Sequence, residues 1–213
     1  MDAEKRLYRT ILADPPWPER GSGKIKRGAD RHYPLMSVRQ ICALRVQELA
    51  HPDGCHLYLW VTNNYLRAGF EVLDAWGFEY ITLLTWPKDR IGLGQYFRGC
   101  TEHVMFARRG QPPYKFDEHG KRCQGTTLIK GKRTDHSRKP HSLHRAAERV
   151  SYEPRLEMFA RRPRPGWDLW GNEVESAVQI GAAGQLQLLA QGTTGGAASQ
   201  RRPPARSGDA GTA

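Results

Sequence analysis

Apolar positions fall into short runs separated by stretches of helical spacing. Residues 7–13 (LYRTILA), 55–61 (CHLYLWV), 78–86, 101–108 (TEHVMFAR) and 155–160 read as strands, each four to ten residues long and bounded by turn formers. Between them the period changes. Ser37 and Gln40 form a capping-box pair opening a helix through about Ala50, with Ile41, Leu44 and Leu49 as its apolar side. Asn63 or Asn64 is positioned to cap a second helix ending at Trp76 before Gly77, and a third spans about 142–150. Strands alternating with helices predict an α/β domain whose sheet is mainly parallel.

Periodicity fails in two places. Residues 109–140 are long, charged and aperiodic, as expected of a loop with a function of its own. From Val178 to Ala213 there is no aromatic residue, and Gly, Ala, Gln, Ser and Thr dominate, which predicts a disordered tail after a single domain over 1–177.

Charge sharpens this division. The chain carries a formal +11 with a pI near 9.8. Eleven Lys or Arg against three acids fall between Arg108 and Arg145, with Tyr114 and Phe116 interleaved, a composition suited to phosphates and bases. A solvated loop that only aids solubility is the bland alternative. Cys42, Cys55, Cys100 and Cys123 show no CxxC pairing, and Cys123 with His136, His141 and His144 matches no standard zinc spacing, so no metal is expected. No apolar run reaches the length of a membrane span and the first ten residues are too charged for a signal peptide, so a cytoplasmic protein is expected.

Chemistry concentrates at Asp14-Pro15-Pro16-Trp17, directly after the first strand. The prolines fix φ and restrict the residues ahead of them, so Asp14 and the Pro15 carbonyl are expected to point outward, with Trp17 as a flat wall. A carboxylate, a carbonyl and an aromatic face suit a planar group bearing an amine, such as adenine. The same residue types also make an ordinary turn. Rival motifs fail: Gly92-x-Gly94 with Gly99 has the wrong final spacing for a dinucleotide fingerprint, Gly21-Ser22-Gly23-Lys24 lacks the rest of a phosphate loop, and Ser137 beside His136 is no triad.

Together with motifs spread over the next 160 residues or so, the corner resembles the MT-A70 family of adenine-N6 methyltransferases. The likeness covers residues 7–174 and rests on the tetrapeptide, Tyr33-x-x-Met36-Ser37, Leu57-Tyr58-Leu59-Trp60-Val61-Thr62-Asn63, Trp86-Pro87-Lys88 and Glu102-His103. It continues through Ser137-x-Lys139-Pro140, Glu157-Met158-Phe159-Ala160-Arg161 and Gly166-Trp167-Asp168-x-Trp170-Gly171-Asn172-Glu173.

The resemblance implies a Rossmann-like, doubly wound α/β methyltransferase sheet in permuted order, with the tetrapeptide ahead of the cofactor-binding elements. It implies S-adenosylmethionine as cofactor, bordered by Lys139, Glu157, Phe159, Arg161, Asn172 and Glu173. Asp14, Pro15, Pro16 and Trp17 would be catalytic, and Tyr33, Lys88, Lys130, Lys132 and Arg133 would meet the substrate. One departure is Arg162-Pro163-Arg164-Pro165, which stands where family members commonly carry further polar cofactor contacts. The expected reaction is methylation of adenine N6 in DNA, with RNA adenine or a non-catalytic nucleic-acid-binding subunit as alternatives. Pairing with an identical or different subunit is left open.

Overall fold

The computed structural model describes residues 6–19, 35–92, 96–132 and 139–181. Tyr33, Arg133, His136 and Ser137, and the tail from residue 182, lie outside the described residues. Six strands form one sheet: β1 (Thr10–Ala13), β2 (Gly54–Val61), β3 (Glu79–Pro87), β4 (Thr101–Gly110), β5 (Arg155–Met158) and β6 (Asp168–Trp170), in the order β3-β4-β2-β1-β5-β6. β1 pairs in parallel with β2 and β5, and β5 with β6, while β4 runs antiparallel to both β2 and β3. The fold is a Rossmann-like α/β sheet, mainly parallel as the alternating pattern predicts.

Helices cover both faces, and strand alternation explains why. Ile11, Ala13, Leu57, Leu59, Val61, Met105, Ala107, Leu156 and Met158 point to one side, where they pack with Ile41 of α1 (Val38–Cys42) and with Val72, Leu73 and Trp76 of α2 (Leu66–Trp76). Leu12, Tyr58, Trp60, Leu84, Trp86 and Val104 point to the other side and meet Leu143 and Ala147 of α3 (His141–Val150). Ile129 joins this second core, because the 109–140 segment is tied to β3: Thr85 N–H donates to the Thr127 carbonyl at 2.7 Å and Ile129 N–H to the Thr85 carbonyl at 2.9 Å.

Three expectations change. The Ser37–Gln40 capping box is present, but α1 stops at Cys42 rather than near Ala50. Tyr8 N–H donates to the Leu49 carbonyl at 2.7 Å and His51 N–H to the Tyr8 carbonyl at 2.9 Å, so the chain must straighten there to run beside β1. Leu44 and Leu49 are buried all the same. At α2 neither Asn63 nor Asn64 caps the helix; both lie in a 3-10 turn, and Asn63 instead bonds Thr101 and His103. Gly77 ends α2 as predicted, in the left-handed conformation (φ 69°) that glycine adopts without penalty. Finally, the packed chain runs past residue 177: Val178 and Ile180 contact the α1/α2 core, and Arg45 N–H donates to the Gly181 carbonyl at 3.0 Å.

Candidate active site

Register places the corner. Ala13 pairs with Met158 and Met158 with Trp170, so Asp14, Phe159 and Gly171 leave three adjacent parallel strands side by side at their carboxyl ends. Ligands of open α/β sheets sit at that rim. Because β4 is antiparallel, its first residues reach the same rim: Glu102 pairs with Trp86 and His103 with Val61. Sequence reasoning gave Glu102 no role, since its arrival at the site depends on the direction of β4.

Four charges alternate across the rim. Lys139 Nζ lies 3.0 Å from Asp14 Oδ1 and 3.3 Å from Glu102, and Lys88 Nζ bonds Glu102 Oε1. All four side chains are about four-fifths buried (exposures 16–22%). Lys139 and Lys88 also sit over the rings of Trp60 and Trp86, at 5.2 and 5.8 Å from the centroids. Burial raises the Asp14 pKa above its ordinary value, against the opposing pull of Lys139. At Glu102 burial also pushes upward, but Lys139 and Lys88 together outweigh it and hold the carboxyl below the usual range. Asp14 Oδ2 takes no hydrogen bond among the described residues, which leaves an acceptor for an incoming N–H donor.

Behind this row His103 bridges two strands and a loop. Its Nδ1 lies 3.0 Å from Thr85 Oγ1 and its Nε2 2.7 Å from Asn63 Oδ1, and burial lowers its pKa despite Glu102 next door.

The rest of the tetrapeptide is used differently from expectation. Trp17 is only 5% exposed; its indole N–H donates to the Trp60 carbonyl at 2.8 Å and its ring stacks on Tyr65 at 5.4 Å. Where a flat wall was expected, Trp17 is a buried anchor, because the indole packs in the α1/α2 core and satisfies its one donor there. The Pro15 carbonyl accepts from Trp17 N–H at 2.8 Å rather than facing solvent alone, with a second lone pair remaining. Pro16 O accepts from Met36 N–H at 2.9 Å. Together these bonds fix the backbone that carries Asp14.

Around Phe159 the chain is strained. Phe159 has φ 62°, a left-handed value that a side chain of this size rarely adopts, and its ring meets Trp170 edge-on at 5.1 Å. Such strain, of order 1–3 kcal/mol, concentrates where a binding geometry requires it. Glu157 is turned to the α3 side, where its Oε2 accepts from His144 Nε2 at 3.0 Å and lies 3.6 Å from Arg164 Nε. Arg161 approaches Glu173 at 4.0 Å, and Asn172 is exposed beside it. Lys139 is the one candidate cofactor residue that contacts Asp14 directly. Lys130 and Lys132 are exposed on the strap whose Gly131 carbonyl accepts from Trp86 Nε1 at 2.7 Å, close to the rim.

The donor set fits S-adenosylmethionine in kind. Glu157, Glu173 and Asn172 offer acceptors for ribose hydroxyls, Lys139 and Arg161 offer cations for a carboxylate, and Phe159 offers an apolar face. Among the described residues no group of three or more His, Cys, Asp or Glu is arranged to hold a metal ion, and no helix is long and apolar enough to cross a membrane.

The MT-A70 family model matches residues 8–173. The type II methyltransferase M.MunI of Mycoplasma sp is 26% identical over 202 residues, covering 85% of this chain and 84% of that protein. The N6-methyladenosine RNA methyltransferase MTA1 of Cryphonectria parasitica is 33% identical over 187 residues, 81% of this chain but 53% of its own length. The human N(6)-adenosine-methyltransferase catalytic subunit METTL3 is 27% identical over 183 residues, 79% of this chain and 28% of its own. The chain thus spans most of M.MunI, about half of MTA1 and little more than a quarter of METTL3. On its sequence, its sheet and these relatives, the chain belongs to the MT-A70 family of N6-adenine methyltransferases.

Proposed function

We propose that the protein is an active methyltransferase that uses S-adenosylmethionine to methylate the exocyclic N6 amine of adenine in DNA. The observation that carries this reading is Asp14: a mostly buried carboxylate on a backbone fixed by Trp17 and Pro16, with one oxygen neutralised by Lys139 and the other open.

Adenine N6 is a poor nucleophile because its lone pair is delocalised into the ring. An ionised Asp14 accepting one N–H, and the second lone pair of Pro15 O accepting the other, favour localising that lone pair and stabilise positive charge as it develops on nitrogen. Groups placed this way contribute about 3–4 kcal/mol each. Asp14 Oδ2 is also the atom positioned to receive the departing proton. Lys139 favours the ionised form of Asp14 against the rise that burial imposes, and Glu102 with Lys88 holds Lys139 where it can do so. When bound, S-adenosylmethionine supplies a methyl group activated by its sulfonium, and Glu157, Phe159, Arg161, Asn172 and Glu173 would hold it. No metal is required for this chemistry.

The match to a type II methyltransferase over 84% of that protein's length supports DNA as the substrate. RNA is the second reading, favoured by the 33% identity to MTA1. The substrate-binding roles of Lys88, Lys130 and Lys132 belong to the same proposal, Lys88 acting through Glu102. So do those of Tyr33 and Arg133.

The test is incubation of the protein with methyl-labelled S-adenosylmethionine and composition-matched DNA or RNA, followed by nucleoside analysis. Label in N6-methyldeoxyadenosine is expected. Label only in the RNA pool would transfer the activity to the second reading, and none in either would remove the enzymatic one.

A further inference from the structure

Some basic side chains on the described surface have a carboxylate partner and others do not. Arg9 pairs with Asp53, Arg108 with Glu79, Arg155 with Glu153 and Arg164 with Glu157. By contrast, among the described residues no carboxylate comes within ion-pair reach of Lys121, Lys130, Lys132, Arg145 or Arg149.

Arg39 of α1 and Arg67 of α2 also lack a carboxylate partner among the described residues, on the other face of the sheet, but these five lie on the strap, on α3 and on the segment at its far end. Lys130 and Lys132 lie on the strap beside the rim. The helix α3 starts directly after Pro140, next to the Lys139 that contacts Asp14, and runs ten residues away from the site, about 15 Å. Its buried side is Leu143, His144 and Ala147; its outer side carries Arg145 and Arg149, one turn apart. Like charges at that spacing mildly destabilise a helix. Arg149 also faces the negative end of the helix dipole, which offsets part of that cost, whereas Arg145 in mid-helix gains nothing from it.

At the far end of α3 stands a small hairpin. Lys115 Nζ donates to the Glu148 carbonyl at 2.7 Å and Tyr152 Oη to the Tyr114 carbonyl at 3.4 Å, which fastens its base. Cys123 N–H donates to Lys115 O and Asp117 N–H to Lys121 O, at 2.7 and 2.9 Å. Asp117 Oδ1 accepts from the backbone of His119 and Lys121, and Gly120 takes φ 72° to close the turn. The hairpin presents Lys121, an exposed Phe116, and Arg122 stacked 3.4 Å over Tyr114. It also carries two exposed acids, Asp117, whose Oδ1 is taken by the turn backbone, and Glu118, which lies 3.5 Å from His119.

We infer that the outer face of α3 and the 115–123 hairpin form a second nucleic-acid contact, one that grips backbone phosphates of duplex flanking the target base. The inference rests on the proposed nucleic-acid substrate and extends it from the reaction rim to a track leading away from it. Unpaired arginines one turn apart on a rigid helix suit successive phosphates, and the prepacked Arg122–Tyr114 stack adds a cation already ordered before binding. The contact is to backbone, so it carries affinity without choosing sequence.

The test compares the full chain with Arg145→Gln/Arg149→Gln and with Lys121→Gln/Arg122→Gln. Binding to a duplex of about 20 base pairs and to a single strand of about 5 nucleotides is measured by anisotropy across a salt series. Each double variant is expected to flatten the long-duplex salt slope by about two, at roughly 0.9 per lost phosphate contact, with the short strand bound and methylated as before. An unchanged long-duplex slope in both variants overturns the inference. Equal losses on short and long substrates overturn it too, since the face would then serve the rim itself. Failure of the unaltered protein to methylate adenine in either substrate counts against the proposed function instead, and the difference in long-duplex slope between it and the variants still decides the track.

Discussion

Replacing Lys139 by Met removes the cation 3.0 Å from Asp14 while keeping the length of the side chain. At that distance the attraction is about 1.4 kcal/mol in bulk water and about 5.5 kcal/mol at an effective dielectric constant of 20. Losing that attraction raises the Asp14 pKa further, in the direction that burial already pushes it. With 22% of the Asp14 side chain still exposed, solvent screening brings the lost attraction nearer the lower of these energies. The direction is set by the structure: burial already raises Asp14, Lys139 opposes it, and nearby Glu102 adds to the rise once Lys139 is gone. On the proposed mechanism transfer needs ionised Asp14, so the acid limb of kcat against pH should move to higher pH. Stability follows the same sign. A carboxyl whose folded pKa is raised costs stability when ionised, so the deficit of the variant should be greatest above its new pKa and shrink as pH falls through it. The assay is a pH profile of single-turnover methyl transfer, with urea denaturation at matched pH. A lower kcat with an unmoved acid limb would refute the coupling. As a control, Glu102→Gln should shift the limb the opposite way.

Two further substitutions separate structure from chemistry. Trp17→Phe deletes the indole N–H bonded to Trp60 O at 2.8 Å and should lower stability by about 1–3 kcal/mol in chemical denaturation; unchanged stability with a raised KM for nucleic acid would return Trp17 to the role of a base-stacking wall. Gly171→Ala would put a Cβ 2.2 Å from Ala160 O and 2.8 Å from Ala160 N, both backbone, so β5 and β6 would have to separate where Phe159, Asn172 and Glu173 meet. Calorimetric titration with S-adenosylmethionine should show clearly weaker binding and thermal denaturation a lower Tm; native values for both would mean that this junction does not shape the pocket.

Much of the fold was legible because its strands carry the signal themselves. The runs ending at Ala13 and Val61 are apolar on both faces, as strands between helical layers must be, and Gly77 marks its helix end unaided. What escaped depends on partners distant in sequence. The early stop of α1 is imposed by Tyr8 pairing across Leu49 and His51, and β6 is too short to show a period before β5 lies beside it. At the site, Asp14 and Lys139 stood out as residue types, but their contact spans more than a hundred residues. Glu102 was hidden because only an antiparallel β4 brings a strand's first residues to the rim. The burial of Trp17 was not legible because nothing in the tetrapeptide reveals Tyr65 stacked against it.

The most direct measurement is methyl transfer by Asp14→Asn, a substitution that keeps shape and removes the ionised acceptor. Nucleoside analysis after incubation with labelled S-adenosylmethionine and DNA should show transfer reduced by at least about a hundredfold, the loss typical of one well-placed stabilising group. Calorimetric cofactor binding should stay within a few-fold of the unaltered protein. Labelling of adenine N6 at an undiminished rate by Asp14→Asn would contradict the account at its centre.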